Sequence, residues 1–498
     1  MKKRIVYIVS YFLLLLTQFV CQKPFFMLYN DAAEKGALFS DFFRVMGNGI
    51  SLDATTAGYL TALPFLMVLI SIWVKKFPLR KILLPYYIIA SLLVAVVFVV
   101  DMGLYPFWGF KLDASIFLYL DSPKEAMASV SFGFILLRVV AMLMLTTFYV
   151  WLMCKVTPHQ LEVTAKRIGG TLGMLFLGGI LFIIIRGGVT ESTSNVGQVY
   201  FSNNQFLNHS AVNPCFSLLS SMGKSKDFAS EFNFFEEEKR AKLVEGLYPT
   251  SDGDSLKQVL TTNRPNVLLI LMEGFGGAFI EPLGGLPDVA PNLNRLSEEG
   301  IFFTHCYANS FRTDRGTVCA LSGYLGLPTV SVMKIPTKSR TLPAISEELV
   351  KAGYQTDFLY GGDINFTNMK SYLLSKGYQH LTADTDFSLA ERNSNVWGVN
   401  DDITSEWLLN HLKQRSDKET PWFTTYLTLS SHEPFDVPYS RLEEKIPNAF
   451  AYTDECLGKM IVGWKQTPLW KDLLIVCIPD HGFCYPQGTT DRGGEFSH

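Results

Sequence analysis

The sequence predicts a five-helix membrane anchor followed by an α/β domain with a mainly parallel sheet. Hydrophobic residues make up 48% of the 498 residues and charged residues only 18%, against roughly 25% charged residues in an ordinary soluble domain. The apolar excess is concentrated in residues 1–186. In residues 263–498, short runs that are apolar on both faces alternate with helical patterns, which is typical of a parallel sheet covered by helices.

Five stretches of the first part are long and apolar enough to cross about 30 Å of hydrocarbon as helices. They are residues 5–21, 56–74, 82–100, 130–154 and 170–185. The first stretch follows Lys2, Lys3 and Arg4, as the apolar core of a signal peptide would. Because it lacks a small-x-small cleavage site and four more spans follow, we interpret it as a retained anchor.

Lysines and arginines collect on one side of the predicted spans. The N-terminus, the loop 75–81 and the loop 155–167 each carry at least three basic residues. The positive-inside rule places these segments in the cytoplasm. Since the number of spans is odd, we expect everything after Arg186 to lie outside the cytoplasm.

Other features narrow the class of protein. A formal net charge of −3 gives no indication of a nucleic-acid-binding surface, and we expect no nucleic-acid partner. The eight cysteines have neither CxxC pairs nor zinc-ribbon spacing, so they are expected to be small buried hydrophobes and not a disulfide framework, with one or two bridges as the alternative in an oxidising compartment. The aromatic cluster 104–110 is expected in an outer loop at the lipid headgroup layer. Arg138 lies within the fourth span, where it either serves function or snorkels or pairs with a carbonyl.

Residues 187–262 are predicted to form an extracytoplasmic connector with few helix or strand patterns, apart from a solvated helix at 232–247. The α/β domain is predicted to span 263–498. Its expected strands are 266–272, 301–304, 355–360, 422–429 and 473–479. Its expected helices are 291–300, 344–352, 401–414 and 450–464. These assignments rest on apolar periodicity.

Two of the buried strands end in metal-type ligands. Glu273 follows the strand 266–272, and Asp480 and His481 follow the strand 473–479. Ligands of open α/β sheets bind outside the carboxyl ends of the strands, and a set of Glu, Asp and His suits Zn²⁺ or Mn²⁺. Each residue alone is a weak signal, because such residues are common in turns.

A further candidate is Thr313, which precedes the helix-compatible stretch 316–321. A hydroxyl at a helix N-terminus lies where backbone N–H groups stabilise a phosphate. The alternative, which the local sequence by itself favours, is that Thr313 only caps this helix.

These motifs together resemble the lipoteichoic acid synthase and phosphoethanolamine transferase group of the alkaline phosphatase–sulfatase superfamily. The matching stretches, in order, are 266–274, 291–300 (PNLNRLSEEG), the segment around Thr313, 397–402 (WGVNDD), 431–435 (SHEPF) and 480–482 (DHG). The five-span anchor is also similar to that group. The resemblance implies an alkaline phosphatase-type fold for the α/β domain.

The resemblance also implies roles for the candidate residues. Glu273, Asp480 and His481 would ligate one divalent metal, Mn²⁺ or Zn²⁺. Thr313 would contact the same metal and act as the nucleophile, forming a phosphothreonine intermediate.

Four more residues take substrate roles by the same resemblance. His432 would bind the phosphate or assist the leaving group, with a satisfied loop histidine as the alternative. Arg312 and Arg315 would neutralise phosphate charge, although at least one of them is expected to be a surface salt-bridge partner. His498 corresponds to a late histidine that serves the metal or the substrate in some relatives.

The chain departs from the family pattern in two places. Thr367 and Met369 lie near positions where the glycerol-phosphate polymerases carry a tryptophan and an arginine that grip substrate, which puts polymerisation of glycerol phosphate in doubt. Relatives also continue beyond the position of His498 through another strand and a closing helix. We therefore expect the sequence to be a fragment that lacks the last part of its sheet.

The leading functional hypothesis is a phospho-headgroup transferase of the bacterial cytoplasmic (inner) membrane. Its donor would be phosphatidylglycerol or phosphatidylethanolamine, and its acceptor a glycan or lipid of the cell envelope. The alternatives are a sulfatase-like phosphodiesterase that releases its product to water and a non-catalytic membrane sensor. A true sulfatase is unexpected, because the segment 310–315 (SFRTDR) lacks the proline of the (Cys/Ser)-x-Pro-x-Arg motif.

Overall fold

The computed structural model describes residues 1–114, 116–117, 132–222, 233–247, 259–415 and 420–485. Five helices in this part of the chain are long and apolar enough to cross a membrane, which confirms the predicted anchor. They are α1 (Lys2–Tyr29), α2 (Phe39–Ile70), α3 (Leu79–Trp108), α4 (Phe132–Val156) and α5 (Arg167–Arg186). A short antiparallel ribbon pairs Lys76–Phe77 with Leu161–Glu162.

The third membrane helix extends further than its predicted span. Residues 104–108 of the aromatic cluster belong to α3, so the prediction of a loop for them was wrong. The ring of Tyr105 packs edge-on against Phe26 at 4.9 Å and against Phe206 at 6.0 Å. This tertiary burial outweighs the helix-breaking tendency of Pro106.

Arg138 lies in α4, as predicted. Its guanidinium stacks over the ring of Phe134, with 3.6 Å between the guanidinium carbon and the ring centroid. It also donates a hydrogen bond to the hydroxyl of Tyr29. The charge of Arg138 is therefore stabilised by a cation–π contact with Phe134 and by the hydroxyl oxygen of Tyr29.

The connector contains more helix than the sequence predicted. Its helices are α6 (Gln205–Ala211), α7 (Pro214–Met222) and α8 (Glu237–Leu247). Asn213, between α6 and α7, donates a hydrogen bond of 2.9 Å to Asp53 of α2, and Asp53 forms a buried ion pair of 2.8 Å with Lys23. The apolar sides of α6 and α7 are buried against the anchor. Helices this short are stabilised by tertiary packing, which local periodicity does not reveal.

The α/β domain is built on a five-stranded parallel sheet, as predicted. Its strands are β1 (Asn266–Met272), β2 (Gln355–Tyr360), β3 (His380–Thr382), β4 (Trp422–Leu427) and β5 (Leu473–Pro479). Their order across the sheet is β3-β2-β4-β1-β5. The helices are α9 (Pro291–Glu299), α10 (Thr313–Ser322), α11 (Ile345–Lys351), α12 (Met369–Ser375), α13 (Asp401–Lys413) and α14 (Lys445–Lys465), with four-residue helices at Pro336–Ser339 and Leu389–Arg392.

Three local assignments in this domain were wrong. Residues 301–304 form no strand, because the exposed side chains of Ile301 and Phe303 have no sheet neighbour to cover them. The predicted strand 422–429 ends at Leu427, and β3 was missed because three residues are too few to show a period.

The sheet is buried on both faces. Leu268, Ile270 and Tyr426 point into a core formed with α13 and α14. Leu269 and Leu271, which alternate with them along β1, point into a second core on the opposite face. Alternation of side chains along a strand explains this division. The continuous apolar character of β1 is thus the consequence of helices on both sides.

Candidate metal centre

Glu273 and Asp480 lie side by side because the strands that precede them are neighbours in the sheet. β1 and β5 are neighbours and pair in parallel, with Met272 opposite Pro479. Glu273 follows β1 and Asp480 follows β5, so both carboxylates leave the same edge of the sheet. Gly274 then turns the chain away at a φ of +60°, a conformation that glycine adopts without strain.

Glu273, Asp480 and His481 form one cluster. One ligand atom from each residue lies within 4.8 Å of the ligand atoms of the others. The Nε2 atom of His481 is 3.4 Å from Glu273 Oε1 and 3.6 Å from Asp480 Oδ2. The Nδ1 atom of His481 lies 2.8 Å from the carbonyl oxygen of Gly482. When Nδ1 carries the proton of this hydrogen bond, Nε2 is left to bind a cation.

Thr313 is the first residue of α10, and its hydroxyl points into the cluster. Its Oγ1 donates a hydrogen bond of 2.9 Å to Glu273 Oε2. The N-cap of α10 is Arg312, in extended conformation, so the alternative that Thr313 serves only as the cap is wrong. Gly316 allows α10 to approach β5, because a Cβ atom there would lie 1.9 Å from the carbonyl oxygen of Asp480.

His432 lies in the loop after β4. Its Nδ1 atom is 2.8 Å from the carbonyl oxygen of Glu433, and its ring packs on Trp397 with 4.7 Å between centroids. The neighbouring Ser431 ties this loop to the cluster by donating a hydrogen bond of 2.6 Å to the carbonyl oxygen of Glu273. His432 also attracts the Glu273 carboxylate and contributes to lowering its pKa.

The two arginines beside Thr313 differ. Arg312 is exposed to solvent. Arg315 stacks over the ring of Phe311 at 4.7 Å, and its Nε and Nη1 atoms are buried without a hydrogen-bond partner in the described part of the chain. Burial lowers the pKa of Arg315. His498, the last predicted substrate residue, lies outside the described residues.

The pKa shifts of the three clustered residues show that two buried carboxylates are stabilised by a positive charge beside them. Burial and the repulsion of Glu273 raise the pKa of Asp480. Burial opposes the charge of His481, but the two carboxylates outweigh it and raise its pKa. Glu273 is also opposed by burial, yet hydrogen bonding and attraction to His481 lower its pKa. The imidazolium thus supplies the charge that the buried carboxylates require.

The cluster fits a divalent metal. Asp480 Oδ2 is buried and has no hydrogen-bond partner among the described residues. A buried, unpartnered carboxylate oxygen is costly unless a cation occupies the position beside it. Two carboxylates and one imidazole are ligands that Zn²⁺ and Mn²⁺ accept.

Sequence reasoning missed Asp401 as a residue that positions the site. Asp401 is fully buried at the start of α13 and accepts hydrogen bonds from Leu429 N at 2.8 Å and Ser430 N at 3.0 Å. It also accepts one of 2.8 Å from Thr453 Oγ1. These bonds hold the loop that carries His432. The only signal was its place in the family-like stretch 397–402.

The segment that departs from the polymerase pattern packs against the connector. Asn365 and Asn368 accept hydrogen bonds of 2.8 Å and 3.2 Å from Asn195 and Gly197. Met369 is buried, and the Thr367 hydroxyl contacts the sulfur of Met333 at 3.6 Å. This segment joins the α/β domain to the connector.

The α/β domain matches a known family. Residues 265–498 match the sulfatase family model. Phosphoglycerol transferase I of Salmonella arizonae is 25% identical over 218 residues, which cover 39% of this chain and 28% of that protein. Phosphoglycerol transferase I of Escherichia coli is 26% identical over 216 residues, with coverages of 39% and 28%. The chain therefore spans less than a third of the length of these curated relatives.

Solved structures give weaker matches. An alkaline phosphatase superfamily protein from Vibrio parahaemolyticus is 27% identical with a TM-score of 0.45, covering 50% of this chain and 64% of that one. The lipoteichoic acid synthase LtaP from Listeria monocytogenes is 17% identical with a TM-score of 0.44, covering 50% and 62%. Because both TM-scores are below 0.5, the sequence matches carry the assignment. Residues 265–498 of this chain match the sulfatase family model, and part of the chain is similar in sequence to phosphoglycerol transferases.

Proposed function

We propose that the chain is a membrane-anchored phosphotransferase that moves phosphoglycerol or phosphoethanolamine from a phospholipid to an acceptor. The observation that carries the proposal is the 2.9 Å hydrogen bond between the Thr313 hydroxyl and Glu273, inside a cluster of metal-type ligands. A hydroxyl held there at the start of a helix is placed to attack a phosphate. The similarity to phosphoglycerol transferases supports the same class of reaction.

Glu273, Asp480, His481 and the Thr313 hydroxyl would hold one divalent ion, Mn²⁺ or Zn²⁺. Such an ion, when bound, lowers the pKa of the threonine hydroxyl and neutralises charge on the phosphate. The hydrogen bond to Glu273 directs the Thr313 proton toward that carboxylate, which leaves lone pairs of Oγ1 for phosphorus. Arg315, with two buried nitrogen atoms that lack partners, supplies donors for the phosphate oxygens.

The proposed transfer has two displacement steps. First, Thr313 Oγ1 bonds to phosphorus while the bond from phosphorus to the diacylglycerol oxygen breaks, and Glu273 takes the Thr313 proton. The diacylglycerol oxygen takes a proton from His432, which leaves phosphothreonine. Next, an acceptor hydroxyl bonds to phosphorus and gives its proton to His432, while Oγ1 leaves and recovers its proton from Glu273.

The membrane anchor supports a lipid donor. Helices α1–α5 confine the enzyme to the bilayer that contains phospholipids. The basic loops place the α/β domain outside the cytoplasm by the positive-inside rule, so we propose a bacterial inner-membrane location and a glycan or lipid of the cell envelope as acceptor. Hydrolysis is the second candidate reaction, because the partial exposure of His432 allows water to act as the acceptor.

Intact-mass spectrometry of the full chain tests the proposal. The protein is incubated with Mn²⁺ or Zn²⁺ and with phosphatidylglycerol or phosphatidylethanolamine. We expect one adduct of phosphoglycerol or phosphoethanolamine mass, located on Thr313 by peptide mapping. Its identity names the donor headgroup.

The matched control replaces another threonine of the same domain. Thr304→Ala changes an exposed residue and should leave the adduct intact, whereas Thr313→Ala should abolish it. An adduct that persists in Thr313→Ala refutes the nucleophile. Release of free glycerol phosphate without transfer to any acceptor would favour hydrolysis.

A further inference from the structure

A cavity of about 1040 Å³ lies away from the metal centre, where the membrane anchor, the connector and the α/β domain meet. We call it the junction cavity. One wall follows the end of α3 and includes Lys111. The connector contributes His209 and Ser220, and the α/β domain contributes Lys334, Thr337 and Arg340. None of the candidate metal ligands lines it.

The walls of the junction cavity are cationic. Lys111, Lys334, Lys338 and Arg340 line it, and Asp113 is the one carboxylate among the lining residues. Lys111 forms a buried ion pair of 2.5 Å with Asp101, outside the lining. Lys334 is likewise paired, with Asp314 on α10. An anion that entered the cavity would therefore meet the positive charge of Arg340 in a half-enclosed space, where water screens charges less than at an open surface.

Arg340 forms no ion pair within the described residues. Its Nη1 and Nη2 atoms donate to the backbone carbonyl oxygens of Gly109 at 3.1 Å and Trp108 at 3.4 Å. Its Nε atom is buried with no hydrogen-bond partner in the described part of the chain, and that part contains no ion pair to it. A buried guanidinium nitrogen without an acceptor is costly, and a phosphate oxygen is the acceptor that guanidinium groups bind best.

The position of the cavity indicates where such a phosphate comes from. Arg340 binds the carbonyl groups at the end of α3, and its guanidinium stacks over Phe110 at 4.9 Å. The rings of Trp108 and Phe110 stack at 5.2 Å, and aromatic side chains at the end of a membrane helix are typical of the headgroup layer. Lys334 reaches from the cavity to Asp314 on α10, with 3.0 Å between the charged atoms.

We propose that the junction cavity binds a phosphate ester at Arg340, separately from the metal centre. The ligand chemistry is a phosphate monoester or diester beside hydroxyl groups, which both a phospholipid headgroup and a free glycerol phosphate provide. Serine and threonine hydroxyls of the lining, such as those of Ser220 and Thr337, supply additional donors. This inference does not depend on the proposed reaction, since it needs neither the metal nor Thr313.

Native mass spectrometry of the detergent-solubilised full chain tests this site. The Thr313→Ala background and a chelator remove turnover, so failure of the proposed transfer does not affect the result. Phosphatidylglycerol is added in one arm, phosphatidylcholine in a second and sn-glycerol 3-phosphate in a third. We expect retained phosphatidylglycerol to fall about tenfold in Arg340→Gln, as for loss of one charged hydrogen bond.

Two further variants make the result specific. Arg295→Gln removes a guanidinium from the surface of α9, outside the junction cavity, and should bind lipid as the parent does. Thr337→Trp fills the cavity while keeping Arg340, and should reduce binding as Arg340→Gln does. Thermal unfolding of each variant identifies any that fails to fold. If Arg340→Gln does not fold, lipid binding by Thr337→Trp provides the test of the site.

The arms separate the two sources of phosphate. Displacement of phosphatidylglycerol by glycerol phosphate would show that free esters enter the site, and retention of phosphatidylglycerol alone would identify a lipid site. Equal binding of phosphatidylcholine would indicate that the phosphodiester suffices without net negative charge. Absence of all three ligands from the parent protein, or unchanged binding in both Arg340→Gln and Thr337→Trp, would overturn the proposal.

Discussion

The two oxygens of the Asp480 carboxylate have different surroundings. Oδ1 accepts hydrogen bonds of 2.9 Å from Gly274 N and 2.8 Å from His481 N, and these bonds fix the orientation of the side chain. Oδ2 has no hydrogen-bond partner among the described residues and faces His481. One oxygen therefore holds the ligand in place while the other remains available to a cation.

Asp480→Asn should weaken metal binding by at least about 100-fold, more than the loss of an outer-shell partner would. The amide removes one negative charge from the cluster and keeps the size of the side chain. Isothermal titration with Mn²⁺ and Zn²⁺ measures the loss. Asp472→Asn, at an exposed position before β5, is the control, and equal affinities of the two variants would contradict the ligand assignment.

Metal affinity should rise with pH. The two carboxylates raise the pKa of His481 above its usual value, so in the metal-free protein the imidazole is protonated at neutral pH. Binding a cation at Nε2 must release that proton, which costs less as pH increases. We expect affinity to increase up to about tenfold per pH unit below the His481 pKa. Affinity that is constant between pH 6 and 8 would be inconsistent with this exchange.

At the scale of elements, the site depends on how closely α10 approaches β5. Gly316 lies against the backbone of Asp480, and the same contact brings Thr313 next to Glu273. The loop after β4 is held from the opposite side by Asp401. Two secondary structure contacts thus position Thr313 and His432.

Gly316→Ala should destabilise the domain by about 1–3 kcal/mol or more, as overpacking does. Its Cβ atom would meet the Asp480 carbonyl oxygen at 1.9 Å, and backbone atoms cannot move aside as a flexible side chain can. Thermal unfolding and adduct formation on Thr313 measure both effects. Gly300→Ala, whose Cβ would lie 3.4 Å from its nearest neighbour, should fold normally, and equal stability of the two variants would refute the close approach.

Asp401→Ala should cost about 1–3 kcal/mol for each buried donor left unsatisfied, because the backbone N–H groups of Leu429 and Ser430 and the Thr453 hydroxyl lose their shared acceptor. Chemical denaturation gives the free energy of unfolding. The adjacent Asp402→Ala is a matched control, since Asp402 is exposed on the same first turn. A loss of similar size for both aspartates would mean that the buried network is not the cause.

Across the molecule, hydrogen bonds link the α/β domain to the connector and to the end of membrane helix α3. Asn195 and Gly197 of the connector bond to Asn365 and Asn368 of the domain, and Arg340 bonds to the end of α3. The three candidate metal ligands, Glu273, Asp480 and His481, nevertheless all lie in the α/β domain. Metal binding should therefore stabilise that domain selectively.

Chelation should lower the stability of the α/β domain and leave the helices of the anchor unchanged. At a free metal concentration 100 times Kd, the bound ion contributes about 2.7 kcal/mol. Hydrogen exchange measured by mass spectrometry on peptides from the anchor and from the α/β domain separates the two parts. Asp480→Asn should not respond to the chelator, and a metal-independent wild type would contradict the assignment of the cluster as a metal centre.

Local sequence patterns predicted the membrane spans, most of the sheet and the candidate residues at the strand ends. Span length and continuous apolar runs are local properties of the chain, so they appear in the sequence directly. The same holds for the positions of Glu273, Asp480 and His481 directly after their strands. The family resemblance of residues 266–498 also rested on ordered local motifs, and the sulfatase family model matches residues 265–498.

Which of these residues lie next to one another depends on the order of the strands in the folded domain. β1 and β5 are about 200 residues apart in the chain, as their register shows, and their adjacency follows from packing across the whole domain. The connector helices, the Asp401 network and the junction cavity likewise depend on contacts between distant segments. Contacts between distant segments produce no periodic pattern of apolar residues in the local sequence. For that reason the sequence did not predict the connector helices, the Asp401 network or the junction cavity.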